Sequence, residues 1–368
     1  MPTVGGAGRG GLAVTALRAV PIALAILTGL GLGLVIVLLM GVSPGEVGDR
    51  LARGILLSPY GWGQVLYKTT FLIFTGLAVA LAFAAGLFNI GAEGQVVIGS
   101  LCCALVGIAC APLPGPLLLP LAILAAFAGG ALWGLLPGWL RARFGTHEVI
   151  TTIMLNFIAM AAANFLITRA LALPETVRTT EVGAGAWLFR FEALLPGMHG
   201  SAANASLLLA VGAALLAHFF LYHTPLGLTL RAVGQGPRQS WILGIRPGRR
   251  IVLAFLLAGG LAGLAGTNFV LGYKHYYEDG YTGGIGFLGI AVALIARNRP
   301  LAVLPAALLF GFLSQAGFVV NSLLPREVID VLTGAILLVF VAADRLQRGW
   351  SLRLRMRRLA AAAGEEGA

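Results

Sequence analysis

The stretch GLFNIGAEGQVVIGS, Gly86 to Ser100, sets an Asn, a Glu, a Gln and four glycines inside a greasy part of the chain. Hydrocarbon tolerates freed backbone amides and polar side chains only where protein or water surrounds them. What flanks this stretch therefore decides whether it is a surface loop or an opened helix within a membrane bundle. The chain has 368 residues, of which 58% are hydrophobic and 11% charged, and its mean hydropathy is +0.92. That much apolar surface does not fit inside a water-soluble core, so the chain reads as an all-α integral membrane protein.

Working outward, the run PIALAILTGLGLGLVIVLLM, Pro21 to Met40, carries no charge. It has the roughly 20 residues a helix needs to cross about 30 Å of hydrocarbon. It shows no clear small-residue cleavage site, so it is expected to be a permanent first span rather than a signal peptide. Further apolar runs near residues 69–88, 95–111, 117–139, 150–173, 206–222, 251–272, 284–296, 301–321 and 328–343 bring the expectation to about ten helices. With the N-terminus in the cytoplasm, alternate loops divide the Lys and Arg residues into 17 inside and 8 outside, which places both termini in the cytoplasm. The expected organisation is a cytoplasmic tail over 1–19, a membrane domain over 20–344 and a basic cytoplasmic tail over 345–368. Within the membrane domain, residues 174–205 form an extracytoplasmic loop and 224–250 a cytoplasmic one.

The net charge of +11 does not indicate nucleic acid, because the basic residues cluster just past helix ends, where they meet anionic lipid headgroups. The tail RLQRGWSLRLRMRRL reads as a surface anchor in the same way. Cys102, Cys103 and Cys110 share one apolar run without metal-ligand spacing. No Walker A motif is present, since Tyr67 stands where Gly must precede Lys68. HEVIT, His147 to Thr151, lacks the second His of a zinc protease. The acids nearest the membrane, Glu93, Glu148, Asp330 and Asp344, sit at span ends, which counts against a proton-coupled carrier. Sodium held by carbonyls keeps an ion-coupled secondary transporter open as an alternative. The chain is expected to be neither an enzyme nor a holder of metal or cofactor, and any ATP is used on another polypeptide.

Two expected spans are short, the third (95–111) and the eighth, GIGFLGIAVALIA, Gly284 to Ala296. Thirteen residues reach about 20 Å, so the eighth is tilted, extended by flanking backbone, or half of a broken helix. An offset of five helices reverses direction, so helices two to five and seven to ten could form inverted repeats with a Gly-rich interruption at the same place in each. The backbone from Phe88 to Gln95 is then an opening beside a hydrated route. The simpler reading has Asn89 capping the third helix with Glu93 in its first turn. Thr152, Asn156 and Asn164 recur at multiples of four on the fifth span, a stripe for hydrogen bonding between helices. The loop Thr224 to Arg250 opens and closes with Gly and Pro; Leu230, Val233, Trp241, Ile242 and Ile245 offer apolar knobs for a protein partner.

FNIGAEGQ, the segment GTHEVITTIMLNFIA from Gly145 to Ala159, LRAVGQGP followed by LGI, and GIGFLGIAVALIARNRP occur in that order. Together they resemble the permease subunit of bacterial ATP-binding cassette importers in the branched-chain amino acid, simple sugar and nucleoside permease superfamily, most of all its nucleoside-type branch. The resemblance covers roughly residues 60–343, with departures at Gly236, Gln239, Ser240 and Ala296. It implies a cytoplasmic ATPase partner, a second related permease and an extracytoplasmic substrate-binding lipoprotein. It also implies that Leu230, Arg231, Ala232, Val233, Gly234, Pro237, Gly244 and Ile245 seat in the ATPase, and that Phe88 to Gln95 and Phe287 to Ile290 border the route. On that route Phe88 or Phe287 would stack on a base while Asn89, Gln95 and Asn156 hydrogen-bond, beside Gly91, Glu93 and Gly94. Simple sugars and branched-chain amino acids remain the alternative substrates. Outside, residues 174–205 and YKHYYEDGY, Tyr273 to Tyr281, are the surfaces expected to meet the lipoprotein.

Overall fold

The computed structural model describes residues 27–29, 31–325, 327, 328, 330–343 and 345. The expected N-terminal tail, the start of the first span and the basic anchor after Arg345 lie outside the described residues. Every regular element of the described chain is helical; among these residues there is no strand, only the isolated bridges Arg178 to Glu278 and Arg190 to Asn204. It divides into two compact units, one of residues 51–316 and one formed by residues before 51 with those after 316. In the latter, helices Leu27–Leu39 and Asp330–Ala343 meet so closely that a Cβ on Gly29 would lie 2.3 Å from Ile336 Cγ1.

The larger unit contains α1 (Pro59–Ala84), α2 (Ala92–Ala109), α3 (Gly115–Phe144), α4 (Glu148–Leu166, extended by a π turn Ile167–Leu171) and α5 (Ser206–His223). The short α6 (Pro225–Gln235) and α7 (Pro237–Ile242) follow, then α8 (Pro247–Gly263), α9 (Ala265–Val270), α10 (Ile285–Ile295) and α11 (Pro300–Val320), which leaves the unit at its C-terminal end. Seven of the described helices are long and apolar enough to cross a membrane: α1 to α5, the α8–α9 run and α11. Leu27–Leu39, α10 and Asp330–Ala343 are apolar but shorter. Proline punctuates the chain where helices begin, at Pro59, Pro225, Pro237 and Pro247, since its missing N–H costs nothing in a first turn. Ser58 and Thr224 complete two of these starts by accepting the N–H of Gly61 and Gly227.

The structure moves several expected boundaries. Helix α1 begins ten residues before the apolar run at 69, at Pro59 behind the Ser58 cap, and it accommodates Lys68, which hydropathy excludes, by donation from Nζ to the Ser314 carbonyl at 2.9 Å. The run 251–272 breaks at Leu264 into α8 and α9. Of the seven span-length helices α1 is the most enclosed, with 83% of its most apolar stretch buried, against 28% for the α4 span. Helices α3, α8 and α2 meet along a seam of small residues. A Cβ on Gly130 would lie 2.2 Å from the Gly259 carbonyl, one on Gly134 2.3 Å from that of Phe255, and one on Gly99 2.4 Å from Gly263 Cα. Spacing of four along both α3 and α8 lets the backbones touch, the packing that joins helices where lipid removes the hydrophobic drive.

Candidate functional site

The chain leaves helical geometry after α1 at Gly86 (φ +72°) and re-enters it at Ala92. Asn89 Oδ1 accepts the Gly91 N–H at 3.1 Å, and its amide pairs with that of Gln95 through Asn89 Nδ2 to Gln95 Oε1 at 2.9 Å and Gln95 Nε2 to Asn89 Oδ1 at 3.3 Å. Asn156 of α4 donates to the Ile90 carbonyl at 2.9 Å and accepts the Gly94 N–H at 2.8 Å. Asn89, Gln95 and Asn156 are all buried. The polar side chains expected along a wet passage are thus engaged with one another, and they lock the break into a rigid piece. Gly91 and Gly94 are buried inside it, and Phe88 packs edge-on against Phe83 at 4.9 Å.

The stripe on α4 is narrower than expected. Thr152 and Asn156 lie on the buried face with Ala159 and Ala163, whereas Asn164 is exposed, because eight residues overshoot two turns by about 80°.

Glu93 sits in the first turn of α2, as expected, but its carboxylate serves another helix. Oε1 accepts the Gly284 N–H at 3.0 Å and Oε2 the Gly286 N–H at 2.6 Å, with the side chain 1% exposed. A Cβ on Gly286 would lie 2.3 Å from Glu93 N. The N-termini of α2 and α10 therefore abut, and one carboxylate lies where two positive helix ends meet. This brings together the two Gly-rich interruptions of the sequence.

Beside this junction is a cleft of about 510 Å³ lined by Glu93, Val97, Met160, Asn164, Asp279 and Thr282 with neighbouring glycines. Asn164 Nδ2 donates to Asp279 Oδ2 at 2.6 Å, and the Asp279 N–H donates to the Val177 carbonyl at 3.0 Å. The segment carrying Asp279 is laced to the 174–205 loop through Thr179 N–H to Tyr277 O at 2.9 Å and Val182 N–H to His275 O at 2.7 Å. Its tyrosines turn inward. Tyr277 is buried, Tyr281 stacks on Phe269 at 4.1 Å, and Ser100 shares a hydrogen bond with the Tyr281 hydroxyl. Phe287, at the start of α10, stays exposed.

In the loop 224–250, Leu230 (0% exposed) and Val233 face inward, while Trp241, Ile242 and Leu243 are 72%, 79% and 73% exposed. Arg231 lies over the Tyr222 ring at 4.9 Å, Ala232 and Ile245 are half-buried, and Pro237 and Gly244 are exposed. Gly234 is pressed on the break itself, where a Cβ would lie 2.3 Å from the Ala84 carbonyl and 2.8 Å from Gly86 N. The segment 86–95 thus touches the 224–250 loop at one end and the start of α10 at the other. Sequence reading missed this contact and the Asn164–Asp279 pair. The signals were of residue type alone, glycine at Gly86 and Gly234 and a polar side chain at Asn164 and Asp279.

Residues 62–341 match the family described as branched-chain amino acid transport system / permease component. The chain belongs to this permease family. It is 38% identical over 326 residues to the guanosine ABC transporter permease protein NupP of Bacillus subtilis, covering 87% of this chain and 92% of that one. It is 35% identical over 320 residues to the nucleoside ABC transporter permease protein NupB of Lactococcus lactis, covering 85% and 88%. It is also 30% identical over 336 residues to the glucose ABC transporter permease protein TsgB13 of Haloferax volcanii, covering 88% and 87%. The family and the seven span-length helices make this permease a multi-pass membrane transport component, not an enzyme. The matched region contains the whole break, the Glu93 junction, the cleft and the 224–250 loop.

Proposed function

We propose that this chain is the permease subunit of an ATP-binding cassette importer that moves nucleosides across the cytoplasmic membrane, with ATP hydrolysed on a separate subunit. Likeness to guanosine and nucleoside permeases over most of its length carries this reading. The cleft supports it by offering an apolar wall at Val97 and Met160 beside hydroxyl acceptors at Asp279 and Asn164, suited to a base and a ribose. A sugar is the second reading, favoured by likeness to the glucose permease and by the same acceptors.

In this proposal the chain makes ten spans with both termini cytoplasmic, the three shorter apolar helices joining the seven long ones, and its halves are inverted repeats around the α2–α10 junction. A second related permease completes the channel, and a substrate-binding lipoprotein docks over residues 174–205 and 273–281. The ATPase grips the exposed Trp241–Leu243 knob, while Leu230 and Val233 key α6 into the membrane body. Movement of the loop pushes Gly234 against Ala84 and Gly86. The segment locked by Asn89, Gln95 and Asn156 then moves as one piece and carries Glu93, with the start of α10, past the cleft and Phe287.

The test is uptake of labelled guanosine, ribose, glucose and leucine by the reconstituted complex, with and without ATP and with an ionophore. Guanosine uptake that needs ATP and survives the ionophore is expected. Uptake that persists without the ATPase and stops with the ionophore would sink the proposal.

A further inference from the structure

We infer that Glu93 is a built-in anion filling the anion-binding N-terminus of α10, so that the adjoining cleft admits uncharged polyols and refuses phosphorylated ones. This rests on the reading of the chain as a nucleoside permease and assigns the residues that set its substrate class.

Helix α10 has 11 residues, enough for its first N–H groups to form an anion site. In a route for small metabolites such a site would hold phosphate or carboxylate. Here the Gly284 and Gly286 amides are both taken by Glu93, which is buried at the edge of the cleft. The second carboxylate of the cleft, Asp279, keeps one oxygen on Asn164 and leaves the other to accept. None of the described residues lining the cleft is basic. A ligand anion would therefore meet two carboxylates with the Gly284 and Gly286 amides of the helix end already used, whereas a vicinal diol brings the donors that a carboxylate accepts. A site built to pair with substrate hydroxyls discriminates strongly against analogues that lack them.

The experiment uses the complete complex in proteoliposomes, with the same lipoprotein throughout so that its own selectivity cancels between variants. Guanosine uptake is measured with and without inorganic phosphate, and against 2′-deoxyguanosine. In Glu93→Gln the charge is gone and an amide is freed, and added phosphate should reduce guanosine uptake about fivefold. The wild type and Glu93→Asp, which keeps the charge, should stay insensitive. In Asp279→Asn the preference for guanosine over 2′-deoxyguanosine should fall about tenfold. An assembled Glu93→Gln complex that ignores phosphate overturns the inference, as does equal phosphate sensitivity in all three proteins. If Glu93→Gln fails to assemble, Asp279→Asn decides, and an unchanged ribose preference overturns it. A wild-type complex that moves no nucleoside overturns both the inference and the functional reading beneath it.

Discussion

Replacing Gly286 with Ala drives a methyl group into the backbone of Glu93. The added Cβ would lie 2.3 Å from Glu93 N, 2.5 Å from Glu93 Cα and 2.8 Å from the Ala92 carbonyl carbon. Ordinary contact begins near 3.4 Å, so the two helix ends must part by about 1 Å. That stretches the Gly286 bond to Glu93 from 2.6 Å to about 3.6 Å and the Gly284 bond from 3.0 Å to about 4 Å, beyond hydrogen-bonding range. Overpacking costs about 1–3 kcal/mol and each charge-assisted bond about 1.5–3 kcal/mol. With partial relaxation the loss is about 3–6 kcal/mol, a large share of ordinary protein stability. The matched control is Gly280→Ala, at φ +76° with nothing within 4 Å, which carries only the left-handed backbone penalty of about 1–2 kcal/mol. Thermal unfolding of the purified complex, read beside guanosine uptake, should show a much larger drop for Gly286→Ala, with uptake lost. Equal melting of the two variants with normal uptake would refute the abutting junction.

Gly234→Ala places a methyl 2.3 Å from the Ala84 carbonyl. It should lower the guanosine moved per ATP hydrolysed by the assembled complex about fivefold while hydrolysis persists; a parallel loss of both would show that the contact does not transmit movement. Asn156→Leu strands the Ile90 carbonyl and the Gly94 amide and should cost about 2–4 kcal/mol in thermal unfolding, an unchanged melt being the contrary result. His275 stacks on Trp187 at 4.0 Å; burial and then Arg190 hold its pKa below the ordinary histidine value, against smaller upward pulls from Glu181 and a backbone hydrogen bond involving Leu271. The folded loop therefore favours neutral His275, and its contribution is present above pH of about 6.5 and is lost as pH falls toward the lowered pKa. Hydrogen exchange at the Thr179 and Val182 amides should quicken more between pH 7.5 and 5 in the wild type than in His275→Gln, after allowing for the intrinsic exchange rates. Identical pH dependence would dismiss the histidine.

Much of the site could be read before the structure. The glycines and polar residues of Gly86–Ser100 announce a break, the brevity of Gly284–Ala296 announces another, and the Gly and Pro residues at its ends mark out the 224–250 loop. Glu93 reads equally well as the first-turn acid of its own helix, and nothing local points to the amides of Gly284 and Gly286, which lie far along the chain. Leu230 and Val233 look like the same kind of knob as Trp241 and Ile242, yet the first pair is buried and the second exposed. Periodicity cannot separate them, since a knob for a partner and a key for the body need the same side chains. The Gly130–Gly259 seam is invisible for a related reason: in a membrane span the faces toward lipid and toward protein are equally apolar.

Composition and the spacing of breaks are thus enough to place this permease in a bilayer and to mark its irregular backbone, because transfer from water to hydrocarbon and the loss of helical amide bonds are local costs borne by each segment. Folding alone settles which helix end Glu93 neutralises, which loop residues face outward and which glycines touch. Those outcomes depend on backbones approaching within a few ångströms across long separations in the chain, where the partner, and not the residue type, sets the energy.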